Sequence, residues 1–178
     1  MVGYRRNLIP GGTYFFTVNL ADRRSRILVD RIAILRGAFR ETWRKRPFTI
    51  DAIVVLPDHL HAIFTLPAGD ADFSARWRHI KGYFTSRLLT ECVPIGRRSN
   101  NEAALWQRRF WEHTIKNEAD FARHVDYIHF NPMKHRIVTR LLDWPHSSFH
   151  RFVRRGLLAE DWAGDTNESG LNFGEPNN

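Results

Sequence analysis

Val54-Val55-Leu56-Pro57-Asp58-His59-Leu60-His61-Ala62-Ile63-Phe64 is the stretch on which the fold turns. β-Branched and apolar residues run up to a Pro-Asp break and resume beyond it. Such runs, joined by a short turn-forming link, predict two strands, 48–56 and 60–66, lying antiparallel as neighbours. Side chains alternate across a strand, so His59 and His61 share one face and Leu60 takes the other. The second strand therefore sends apolar residues to one side and two imidazoles to the other.

Upstream, Gly11-Gly12 marks a turn, and the aromatic and β-branched run at 13–20 reads as a strand. Leu28, Ile32, Leu35, Phe39 and Trp43 recur at three- and four-residue steps. They predict one amphipathic helix over 28–44, stopped near Pro47. Downstream, Phe73, Trp77, Ile80, Phe84 and Leu88 predict a helix over 72–90. Residues 91–104 are polar and irregular and form the expected mobile loop. Residues 110–115 read as a fourth strand and 118–130 as a helix that Asn131-Pro132 ends or kinks. A basic extension fills 133–158, with a short helix expected after Ser147. The order β-α-β-β-α-β, then α, predicts an α+β fold: a ferredoxin-like antiparallel β-sheet (split βαβ) with helices on one face, plus a C-terminal extension. The expected division is one domain over 1–158 and an acidic tail over 159–178.

The charge is divided the same way. All 27 Lys and Arg lie in the first 158 residues against 14 of the 19 Asp and Glu, a net +13, while 159–178 holds five acids. A basic body suits a polyanion such as nucleic acid. A lone cysteine, Cys92, rules out an internal disulfide and a cysteine-based zinc site. No apolar run reaches membrane-spanning length, so a soluble cytoplasmic protein with no membrane partner is expected.

Two imidazoles spaced as His59 and His61 can share one metal ion, although a His-x-His pair also occurs as plain surface histidines at a strand start. In the helix over 118–130, Tyr127 and Asn131 stand four apart and so stack on one face. A tyrosine there is by default a packed residue with a satisfied hydroxyl. Together, His59-Leu60-His61 and Tyr127-Ile128-His129-Phe130-Asn131-Pro132 resemble the HUH-type single-tyrosine transposases. Tyr4-Arg5-Arg6, Gly11-Gly12-Thr13-Tyr14-Phe15-Phe16-Thr17-Val18, Val54-Val55-Leu56-Pro57-Asp58-His59, Arg109-Phe110-Trp111-Glu112-His113 and Asp143-Trp144-Pro145 narrow the resemblance to REP-associated tyrosine transposases of the IS200-like family, over about residues 4–163.

That resemblance implies that Tyr127 is the nucleophile, and that His59 and His61 hold a Mg²⁺ or Mn²⁺ ion. Asn131 is the third ligand, with His124 competing for the place. It implies cleavage and rejoining of single-stranded DNA through a 5′-phosphotyrosine, on a REP-like hairpin with a short single-stranded flank, by a monomeric, nucleoid-associated enzyme. The DNA contacts expected from the basic segments are Arg5, Arg6, Arg76, Arg78, Lys81, Arg108, Arg109, Lys134, Arg136, Arg151 and Arg154. Two other readings stay open at this point. One is a ferredoxin-like domain that binds nucleic acid without catalysis; the other is a hydrolase acting through a metal-activated water. The acidic tail, following a basic extension, is expected to fold back and compete with DNA.

Overall fold

The computed structural model describes residues 7–97, 99–100, 103–164 and Phe173. Four strands, β1 (Thr13–Asn19), β2 (Thr49–Val55), β3 (His59–Thr65) and β4 (Trp111–Thr114), form one antiparallel sheet in the order β2-β3-β1-β4. That is the split βαβ order read from the sequence. The β2–β3 hairpin is present, with Val55 opposite Leu60, and β3 pairs along β1 so that His61 faces Thr17 and His59 faces Asn19. At the start of β1, Gly11 has φ 70, a conformation glycine reaches without steric cost. A Cβ on Gly12 would stand 2.8 Å from the Ile9 carbonyl and 2.9 Å from the Tyr14 hydroxyl.

Helix α1 (Ile27–Asp30), α2 (Ile32–Lys45) and α3 (Phe73–Thr90) cover one face. The single helix expected over 28–44 is thus two, broken at Arg31, whose backbone leaves the helical region at φ −119, ψ 36. Asp72 caps α3 by accepting from the Ala75 amide at 2.8 Å. The core on this side is aromatic: Phe64 stacks on Trp77 at 4.8 Å, Phe48 lies 4.5 Å from Phe64, and Phe16 meets Trp77 edge-on at 5.4 Å. Burying each such ring stabilises the fold by about 1.5–3 kcal/mol. Trp43, expected in this core, is instead 54% exposed. In the last turn of α2 the neighbouring Thr42 takes the inward position, fully buried and hydrogen-bonded to His79 at 2.8 Å.

Helix α4 (Glu118–Lys134) packs against β2 and β3 on the opposite face, capped by Asn117, which accepts from the Asp120 amide at 2.9 Å. Pro132 does not end it. So close to the terminus its missing N–H removes only the bond to Ile128, and the helix continues to Lys134. A Schellman turn closes it: the Ile137 amide donates to Pro132 and the Arg136 amide to Met133, both at 2.9 Å, with Arg136 at φ 54. Helix α5 (Phe149–Arg154) follows a one-turn 3-10 helix at Leu141–Asp143.

The outer edge of β2 is sealed by the chain leading into α5. The Val55 amide donates to His146, the Ser148 amide to Ile53, both at 2.8 Å, and Val54 bridges Ser147. The Arg151 guanidinium caps the Ile50 and Asp51 carbonyls. No helix among the described residues is long and apolar enough to cross a membrane.

Candidate active site

Among the described residues, most of the buried polar groups lie on the side of the sheet under α4. His59, His61, Thr17, His124 and Asn131 are each at most 1% exposed, and so is Tyr127. Strand β3 delivers the two histidines, whose rings lie 5.0 Å apart. Helix α4 delivers Tyr127, whose ring meets His61 edge-on at 5.2 Å. Asn131 stands one turn further along the same helical face, and His135 beyond it brings its ring to 5.0 Å from His59. Two elements far apart in sequence thus converge on one spot.

Neighbouring groups set the tautomers of both histidines. His59 Nδ1 donates to Asp58 Oδ1 at 2.7 Å, and Asp58 is held in turn by Arg23 at 2.8 Å. Burial pushes the Asp58 carboxyl up, but the His59 hydrogen bond and the Arg23 charge outweigh it and hold the group below its ordinary value. Thr17 gives its one hydroxyl proton to the Phe173 carbonyl, so its oxygen accepts from His61 Nδ1 at 2.9 Å. Each imidazole then carries its lone pair on Nε2. A partner on the far nitrogen that fixes ring and tautomer is the usual support of a metal-binding histidine. The donor set of two neutral imidazoles and an amide oxygen therefore suits a divalent cation.

Tyr127 has its own partner. Lys134 Nζ donates to the phenolic oxygen at 2.9 Å and lies 4.6 Å from the ring centre. This places positive charge where a phenolate would form. Lys134 was expected on DNA; the structure puts it on the tyrosine, two turns along α4, a contact that the i, i+7 spacing already allows.

His124, the rival third ligand, sits in a different cluster. Its Nδ1 donates to the Asp120 carbonyl at 2.8 Å and its ring stacks on His113 at 4.7 Å. His113, Asp120 and His124 bring potential ligand atoms within 4.8 Å of one another. Asp120 is held at about 2: burial pushes it up, and the His113 and Lys116 hydrogen bonds more than reverse this. Burial pushes His124 down, toward the neutral form.

The remaining expected contacts divide. Arg78, Lys81 and Arg108 line one cleft of about 950 Å³ beside α3, where Lys81 also donates to the Gln107 carbonyl at 2.8 Å. Arg109, Arg136 and Arg154 are exposed. Arg5 and Arg6 lie outside the described residues. Two of the expected contacts are engaged with the protein itself. Arg76 is 1% exposed and tied to Asp70 at 2.7 Å and to the Pro47 and Asp72 carbonyls, and Arg151 caps the edge of β2. Both guanidiniums satisfy protein carbonyls, which gives each a structural role.

Phe173 was not foreseen. Its ring packs 4.8 Å from Tyr127, 4.3 Å from His124 and 5.8 Å from Phe15. It covers the tyrosine from the tail side. The acids Asp165, Glu168 and Glu175 of that tail lie outside the described residues.

Comparison with known proteins identifies the family. Residues 12–131 match the family described as "Transposase IS200 like". The chain is 51% identical to the REP-associated tyrosine transposase of Escherichia coli (strain K12), over 94% of each chain. Its fold superposes on a solved REP-associated tyrosine transposase bound to a REP hairpin with a TM-score of 0.86, at 49% identity, covering 99% of this chain and 98% of the other.

Proposed function

The chain belongs to the IS200-like transposase family and is a tyrosine transposase, and from that premise we propose that it cleaves and rejoins single-stranded DNA beside REP-type hairpins, with Tyr127 as the nucleophile. The observation that carries this reading is the approach of Tyr127 to His61, 5.2 Å between rings, which joins the helix-borne hydroxyl to the strand-borne histidine pair.

His59, His61 and Asn131 would hold the divalent cation, Mg²⁺ or Mn²⁺. When bound, it supplies a Lewis acid that polarises the scissile phosphate and offsets charge in the transition state. The chain's own residues do the rest. The Tyr127 hydroxyl gives its proton to solvent, the Lys134 ammonium offsetting the charge on the phenolate oxygen; that oxygen attacks phosphorus and displaces the 3′-oxygen, which takes a proton from solvent and leaves as a 3′-hydroxyl. The DNA 5′ end remains on Tyr127 as a phosphotyrosine ester. The ester conserves the bond energy, so a 3′-hydroxyl attacking it restores a DNA strand without ATP. Asp58 and Thr17 hold the two imidazoles in the required tautomer throughout.

All of these groups come from one chain, which supports a monomer; light scattering behind a sizing column tests it. A role on chromosomal repeats places the enzyme at the nucleoid. Phe173 over Tyr127 supports the tail as an autoinhibitory cap, and removing residues 165–178 should raise both DNA affinity at low salt and the rate of cleavage. Equal rates with and without the tail would end that part of the reading.

The main experiment uses a labelled REP-type hairpin with a single-stranded flank, wild-type protein and Tyr127→Phe, with Mn²⁺, Mg²⁺ or chelator. A metal-dependent covalent adduct on a denaturing gel, absent from Tyr127→Phe, is the expected result. Cleavage that survives the substitution without an adduct would replace the tyrosine mechanism with hydrolysis. Tight binding with no cleavage under either metal would favour a DNA-binding domain that has lost catalysis.

A further inference from the structure

The tyrosine side of the site is closed by Phe173, but His59 also lines a cleft that opens elsewhere. This cleft, of about 410 Å³, lies between the loop ahead of α1 and the turn after α4. Arg23, Arg24 and Arg26 form one wall and His135 and Ile137 the other, with Pro57 and Asp58 at the floor beside His59.

The two kinds of arginine in the wall do different work. Arg23 is committed to the protein: it pairs with Asp58 and donates to Asn19, and so braces the support of His59. Arg24 and Arg26 are exposed. Arg24 pairs at 3.2 Å with the solvated Asp22, a surface pair of little net worth. With Asp58 as the single acid among the lining residues, the three guanidiniums leave the cleft net positive. A positive channel that ends on a candidate cation ligand fits a chain of phosphates, and its imidazole and proline walls offer flat surfaces to unpaired bases. A duplex stem is too wide for a cleft of this volume, whereas one strand is not.

We propose that this cleft is the entry channel for the unpaired DNA flank, with successive backbone phosphates on Arg24 and Arg26 and the next one delivered beside His59. The assignment rests on the single-stranded DNA reading above and adds the path and the residues that set it. Arg23 is a positioning residue, acting on His59 through Asp58.

The test separates the flank from the hairpin and binding from chemistry. Affinity is measured by fluorescence anisotropy without cleavage, for one hairpin with a ten-nucleotide flank and the same hairpin with none. The proteins are wild type, Arg24→Glu/Arg26→Glu, and a control carrying the same charge change on α2, outside the cleft lining, Arg40→Glu/Arg44→Glu. Melting curves verify folding. For the flanked hairpin, the cleft variant should bind at least tenfold more weakly at low salt. Its salt slope should fall by about 1.4, two phosphates at about 0.7 each for single strands. Its affinity for the blunt hairpin should stay within twofold of wild type. Equal losses on both DNAs, a control that matches the cleft variant, or a wild type indifferent to the flank would each overturn the channel. Because none of these readouts needs an adduct, failure of the tyrosine chemistry would show separately.

Discussion

The two faces of the sheet are built from the same strands and have opposite contents. On the face under α2 and α3, β1 and β3 present Tyr14, Phe16, Val18, Leu60, Ala62 and Phe64 to a dry aromatic core. One residue out of phase, under α4, the same strands present Phe15, Thr17, Asn19, His59, His61 and Ile63. Strand pleating alone divides the labour. The first face contributes apolar burial. The second buries polar groups that each need a partner, and it holds the chemistry. A shift of one residue in the pairing of β3 would exchange the two sets, so the core that stabilises the fold also dictates which way the histidines point.

If that division holds, substitutions on the two faces should fail in different ways. The largest effect belongs to Trp77→Ala, which should destabilise the protein by about 3–5 kcal/mol through lost burial and the cavity left behind, read by urea denaturation. Its partner experiment, His61→Ala, should shift the melting temperature by less and yet take the DNA adduct below detection. If His61→Ala unfolds the protein as severely as Trp77→Ala, the two faces are not separable.

Acid should act where α4 packs against α5, at His129. Burial, and after it the Arg151 charge, hold His129 at about 3, against an ordinary histidine near 6.5. The unfolded chain therefore binds a proton that the folded chain refuses between these values. Stability contributed by neutral His129 is complete above the unfolded value and is lost as pH falls from about 6.5 toward 3. Between pH 7 and pH 5 the loss should be about 2 kcal/mol, at about 1.4 kcal/mol per pH unit below 6.5. His129→Gln should flatten that slope in denaturation at the two pH values. A slope unchanged by the substitution would place the acid sensitivity elsewhere.

A finer probe is Thr17→Val, which removes the acceptor that orients His61 and keeps its shape. Support of this kind is worth about 10–100-fold in metal affinity, so Mn²⁺ binding by calorimetry should weaken on that scale with little change in stability. The smallest effect is expected at Arg136→Gly. Arg136 occupies the left-handed position that closes α4, and glycine there should stabilise the fold by about 1 kcal/mol.

The hairpin, the strand order and the common face of His59 and His61 were legible because the pleat has a period of two and the Pro57-Asp58 break leaves little freedom. Tyr127 and Asn131 were legible on one helical face for the equivalent reason. What period alone does not carry is phase and destination. Trp43 fits the apolar spacing of α2, but the inward place in the last turn goes to Thr42, which no periodicity announces. Arg76 and Arg151 look like DNA contacts because charge is visible in a sequence, whereas the backbone carbonyls they satisfy are not. Lys134 reads as one more basic residue until α4 is seen to run through Pro132 and carry it back to the tyrosine. Phe173 lies more than forty residues beyond Tyr127 in a segment without periodicity, and nothing local signals where it docks.

The chain that runs from His146 to Arg151 has a further consequence. By occupying the hydrogen-bonding edge of β2 without forming a strand, it denies other molecules a template for sheet extension. A protein shortened to end before His146 would keep all four strands and both candidate cation-binding histidines. It would also expose a run of unpaired amides and carbonyls along Ile53, Val54 and Val55. Its defect would appear first in concentrated solution, as self-association, and only then as lost activity. The closure thereby keeps neighbouring copies of the chain from pairing edge to edge.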